Sequence, residues 1–141
     1  MKKIFFYALM IPAFVGMLSS CSETKTDVKC LEGKWNIAEV KGEKVVVEED
    51  APVMEFDMTE NKVYGNAGCN IFNASVVLDA NDVSAIAIDD AVTTMMSCPN
   101  MELEDKVLKS MDEVKAVKAG KSADEVLLVD AAGNVLFVLS R

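Results

Sequence analysis

The sequence predicts a mainly β domain of α+β class, an antiparallel sandwich or small barrel of about eight short strands with one amphipathic helix. Three observations predict it. Short segments alternate apolar and polar residues with a period of two. Asp, Asn and Gly clusters punctuate these segments at short intervals. A single stretch after Pro99 carries the helical period instead. Strands that short, joined by turns, close into a sandwich or barrel, and a lone helix with an apolar stripe must cover an end or flank of the sheet.

Each element follows from its residues. Lys34 to Val40 sets Trp35 and Ile37 against Asn36 and Ala38. Val53 to Met58 places Met54, Phe56 and Met58 on one face and Glu55 and Asp57 on the other. Thr59, Glu60 and Asn61 turn the chain, and Lys62 to Asn66 returns beside it. Ser75 to Leu78 and Val83 to Ile88 flank the tetrad Asp79-Ala80-Asn81-Asp82. In the helical stretch, Leu103, Val107, Leu108, Met111 and Val114 share one face. Pro99 suits a first helical position. The acids Glu102, Glu104 and Asp105 precede Lys106 and Lys109, which suits the helix dipole and offers Glu102–Lys106 and Asp105–Lys109 pairs. Val114 to Lys118 is the next strand. Glu125 to Val129 and Val135 to Leu139 form a last hairpin around Ala131-Ala132-Gly133-Asn134.

The amino terminus speaks to location. Lys2 and Lys3 precede an apolar run from Ile4 to Leu18, followed by Leu18-Ser19-Ser20-Cys21. This is a secretory signal with a small-residue cleavage site before a cysteine. The run is shorter than the roughly 20 apolar residues of a membrane span and contains Pro12 and Gly16. The cysteine after the cut resembles a bacterial lipobox. That resemblance implies a lipid-modified Cys21 and attachment to a membrane through the acylated amino terminus. The expected organisation is a signal peptide over 1–20, a polar tether over 21–29 and one domain over 30–141. Ser22 carries no inner-membrane retention charge. The expected site is therefore the cell envelope, at the outer membrane, on its periplasmic face or at the cell surface.

Composition excludes several classes of function. The chain has 141 residues and a net charge of −9. Without Lys2 and Lys3, 12 basic residues face 23 acidic ones, a charge of −11. A chain that acidic is repelled by phosphate backbones, so no nucleic-acid partner is expected. There is no histidine. That removes imidazole dyads and triads, the usual base near neutral pH and the commonest zinc ligand. Asp79, Asn81 and Asp82 lack the glycine and distal glutamate of a calcium loop. Glu48-Glu49-Asp50 and Asp89-Asp90 read as solvated loop and cap residues. No enzyme activity, catalytic residue, metal or cofactor is expected, and the domain is expected to be a monomer.

Three local patterns stand together. Leu31-Glu32-Gly33-Lys34-Trp35 opens the domain. Gly65-Asn66-Ala67-Gly68-Cys69-Asn70, followed by Phe72, lies in the middle. Thr94-Met95-Met96-Ser97-Cys98 precedes the helix. In order and at these separations they resemble the META domain family, which includes the bacterial heat-shock lipoprotein HslJ. Gly33, Trp35, Gly65, Gly68, Cys69, Asn70, Phe72, Thr94, Met96 and Cys98 carry the likeness. Leu127-Leu128-Val129-Asp130, Gly133 and Leu136-Phe137 resemble the family ending. Ala74 and Val76 stand where relatives often have glycine and an aromatic residue. The resemblance implies a small lipocalin-like antiparallel β-barrel with one packed helix. It also implies an envelope or stress role linked to antibiotic tolerance, with no established reaction. The partner is then an envelope protein or a small ligand.

Without the family, the same residues have structural roles. Gly65 and Gly68 permit a bulge or positive φ. Asn70 takes left-handed geometry or bonds the turn backbone. Trp35 plugs the barrel, and Met95 and Met96 fill gaps in the core. Trp35, Met54, Phe56, Phe72 and Phe137 are numerous enough to fill a small barrel, which opposes a carrier cavity. Outside the cytoplasm, Cys30, Cys69 and Cys98 form at most one bridge. The two motif cysteines, each at an element end, point to Cys69–Cys98. Cys30 bonded to either of them, or three free thiols, are the other possibilities.

Overall fold

The structure, a computed structural model, describes residues 25–46, 48–99 and 101–141. The expected lipidation site Cys21 lies outside the described residues. A short 3-10 turn, Val28–Leu31, leads into β1 (Gly33–Val40), β2 (Glu43–Lys44), β3 (Val53–Asp57), β4 (Lys62–Asn66), β5 (Ile71–Asp79) and β6 (Asp82–Thr93). The helix α1 (Met101–Glu113) follows, and then β7 (Ala116–Ala119), β8 (Glu125–Val129) and β9 (Val135–Ser140).

Eight strands close into a barrel. The ladder runs β1-β3-β4-β5-β6-β7-β8-β9, every pair antiparallel, and β9 returns to β1 through pairs such as Ile37 with Leu139. Closure removes free sheet edges. β1 serves both neighbours because its first half pairs with β3 and its second half with β9. β2 is a two-residue extension of the wall. It is made by a tight turn at Lys41 and Gly42, both at positive φ, the geometry that matches strand twist. The β6–β7 seam is the thinnest, with Ala85 opposite Ala116 as its one ladder pair.

Asp side chains set the turns. The Asp57 carboxylate accepts from the Thr59 and Glu60 amides at 3.0 Å each. Asp79 accepts from the Asn81 amide. Asp130 accepts from the Ala132 and Asn134 amides and from the Asn134 side chain, which together hold its carboxyl below the usual carboxylate range. These are Asx turns, the reason Asp and Asn punctuate the strands.

The inner face is apolar by alternation. Met54, Phe56, Phe72, Ala74, Val76, Ile86, Ile88, Leu128, Phe137 and Leu139 are all buried. Ala74 and Val76, the two departures from the family pattern, are thus inward-facing wall residues. Trp35 closes the end where β1 starts. Its indole N–H donates to the Leu31 carbonyl at 2.8 Å, and the Arg141 guanidinium stacks 3.7 Å from the ring centroid. Arg141 also donates to the Cys30 and Glu32 carbonyls. Val28 and Leu31 of the 3-10 turn are buried at this end. At the other end α1 buries Val107 and Met111, with Val114 following.

Several expectations are corrected. β6 continues to Thr93 past a bulge at Asp90 (φ 55°) that shifts the register and hides its alternation, and β5 begins at Ile71, directly after the β4–β5 turn. The helix starts at Met101, so Pro99 stands before it rather than in its first turn. Lys106 pairs with Glu43 across to β2, and neither Glu102–Lys106 nor Asp105–Lys109 is among the ion pairs of the described residues.

Candidate functional site

The family-like residues converge at the helix-covered end. Gly65 lies in β4 opposite Met54, and a Cβ there would fall 2.0 Å from the Val53 carbonyl oxygen. Of the two expected features, a bulge or a positive φ, its φ is not positive; the close crossing of β3 demands the glycine. Gly68 does sit at φ +130°. The Asn66 side chain accepts from its amide at 2.7 Å and shapes the turn. Cys69 follows and bonds to Cys98, with Cα atoms 6.2 Å apart.

Asn70 is the hub. It is buried, and every polar atom of its side chain is used. Its Nδ2 donates to the Met96 carbonyl at 3.1 Å and to the Glu104 carboxyl at 2.8 Å. Its Oδ1 accepts from the Met96 amide at 2.7 Å and from the Thr94 hydroxyl at 2.9 Å. Its own amide donates to the other Glu104 oxygen. Asn70 therefore joins the β4–β5 turn, the segment before α1 and the first turn of α1. It does not adopt the left-handed conformation. Glu104 was legible only as a first-turn helix acid; it is buried beneath Gly68 and Asn70. A buried carboxyl at apolar helix spacing was the signal for it.

Thr94 closes the pattern. Its amide donates to the Ile71 carbonyl and its hydroxyl accepts from the Ile71 amide. Met96 contributes through its backbone. Its side chain is 55% exposed and that of Met95 is 94% exposed, so neither fills the core. The hydrogen bonds to Asn70 hold the segment on the outside of the wall and turn both thioethers outward. Val92 (70% exposed) and Ile71 (61%) lie beside them as diagonal neighbours on the outer face of β5 and β6. The result is an apolar outer surface on a segment fixed by a disulfide and three hydrogen bonds to Asn70.

Among the described residues no group of three His, Cys, Asp or Glu side chains is placed to hold a metal. The larger concavities, about 510 Å³ between Val45–Pro52 and α1 and about 490 Å³ near Gly120, are open grooves outside the barrel. Trp35, Phe56, Phe72 and Phe137 line none of them. Cys30 is a free thiol, half-buried, and burial pushes it up while Arg141 opposes the shift.

A model of the META domain family matches residues 27–141. No curated protein matches the chain. Solved structures share its fold. A structure determined by NMR from Burkholderia xenovorans is similar with a TM-score of 0.59 at 16% identity, over 80% of this chain and 84% of that one. A second NMR structure gives 0.56 at 17%, over 78% and 89%. The crystal structure of a DUF4847 family protein from Bacteroides vulgatus gives 0.52 at 10%, over 78% and 92%.

Proposed function

The chain belongs to the META domain family, and from that premise we propose that it is a lipid-anchored envelope protein that binds or stabilises another envelope protein without catalysing a reaction. The role fits envelope stress and antibiotic tolerance, as the family resemblance implies. The observation that carries the reading is the surface of Ile71, Val92, Met95 and Met96. These are large apolar side chains left in water on a segment that Asn70 and the Cys69–Cys98 bond hold rigid. Fixing a loop before binding lowers the ordering cost of association, and methionine adapts its shape to a partner. A small-ligand carrier needs an enclosed cavity, and here large apolar side chains fill the barrel.

Photo-crosslinking in native membranes tests the reading. A probe at Met95 should give one discrete protein adduct, lost when Val92 is changed to Asp, while a probe at Glu60 on the opposite end gives none. Equal labelling at both positions, or none at either, would count against it. Intact mass of the membrane fraction tests the anchor, because Cys21 should carry diacylglycerol and an acylated amine.

A further inference from the structure

The connections of an up-and-down barrel alternate between its two ends. The β5–β6 hairpin therefore lies at the end opposite α1, together with the 3-10 turn and Arg141. The first described residue, Lys25, reaches that hairpin, its ammonium 3.1 Å from the Asp82 carboxylate. Only Ser22, Glu23 and Thr24 separate it from Cys21. Four residue steps reach at most about 14 Å even when fully extended. A lipid on Cys21 thus brings the hairpin close to the headgroups.

The hairpin has the surface for that position. Leu78, whose place in the alternation points inward opposite buried Ile86, is still 41% exposed. Val77 and Val83 point outward and are 48% and 52% exposed. Aliphatic side chains on both faces of this strand pair are thus left partly in water. We propose that the β5–β6 hairpin enters the membrane interface beside the anchor, with Val77, Leu78 and Val83 in contact with lipid. The Met95–Met96 surface then faces away from the membrane. The proposal rests on the lipid-anchor reading and adds an orientation to it.

Insertion depth tests it. The intact lipoprotein, with Cys30→Ser and its disulfide oxidised, is reconstituted in vesicles of phosphatidylethanolamine and phosphatidylglycerol at three to one. An environment-sensitive fluorophore is attached at Val83→Cys, or at Ala80→Cys should the first variant fold poorly, and at Ala132→Cys in the opposite-end turn. Labels at 83 and 80 should shift to the blue and be quenched by nitroxide-bearing lipids, while the label at 132 stays in water. A protein that floats with the vesicles and carries lipid on Cys21, yet leaves the hairpin labels in water, overturns the orientation and spares the anchor. Equal quenching at 132 overturns it as well. A chain without lipid on Cys21 overturns both.

Discussion

Asn70 shows how one side chain makes three motifs into one object. Its amide group has two donors and two acceptor positions, and the fold uses all of them on Thr94, Met96 and Glu104. The threonine, the methionine backbone and the asparagine are thus parts of a single contact. Replacing Glu104 with Leu leaves the Asn70 backbone amide and one of the two Nδ2 hydrogens without an acceptor. A stranded buried donor costs about 1–3 kcal/mol, so the variant should lose roughly 2–5 kcal/mol in urea unfolding. Glu104→Gln restores one acceptor and should lose less. Unchanged stability in the Leu variant would mean that the network does not hold the helix. Gly65→Ala meets backbone rather than side chain, so β3 and β4 must separate. Its cost should reach or exceed the 1–3 kcal/mol usual for overpacking (approximately). Glu104 shares the helical spacing of Val107, Leu108 and Met111, but that signal was masked because an acid in the first helical turn is also what the dipole favours.

The elements differ in how firmly they are tied. The Cys69–Cys98 bond spans 29 residues and joins the β4–β5 turn to the segment before α1. Reduction should therefore lower stability by roughly 3–4 kcal/mol through released chain entropy. Urea unfolding of the oxidised and reduced protein measures it, and peptide mapping without reductant should recover the Cys69–Cys98 peptide with Cys30 alkylated. The β6–β7 seam, with its single ladder pair, should open first in amide exchange, ahead of the seven-pair β5–β6 ladder. At the hairpin end, Ser84 and Lys25 hold Asp82 below the usual carboxylate range. A pKa lower in the folded than in the unfolded chain means the contact is fully present above the unfolded value. It is lost as pH falls through the folded one. An NMR titration should thus show Asp82 protonating after a free aspartate would. Strands with clean alternation, β4 and β8 above all, were legible to their boundaries. β6 was read short because the bulge at Asp90 breaks its period, β5 was read short although its alternation runs unbroken from Ile71, and β2 was missed because two residues carry no period at all.

At the scale of the molecule, the barrel wall and its contents are one structure. Trp35 and Arg141 stop one end, α1 stops the other, and the aromatic rings of Phe56, Phe72 and Phe137 occupy the space between. This filling was legible, since alternation alone put those residues on one face. The placement of Met95 and Met96 was not, because hydrophobicity does not reveal that a backbone bond to Asn70 turns a side chain out. A packed interior makes a sharp demand. Phe56 is buried in β3, so Phe56→Ala should leave a cavity and cost about 3–5 kcal/mol. That is a large part of the 5–15 kcal/mol (approximate range) that holds a domain of this kind. The variant should therefore be compared with the parent in urea at low temperature. A carrier gives the opposite result. If the barrel held a ligand space, truncating one ring would enlarge it at little cost, and apolar ligands would stabilise the parent protein. A small loss together with ligand-dependent stability of the parent would turn the conclusion toward a carrier. A loss of several kcal/mol with no ligand effect fixes the interior as core and leaves recognition to the outside of the barrel.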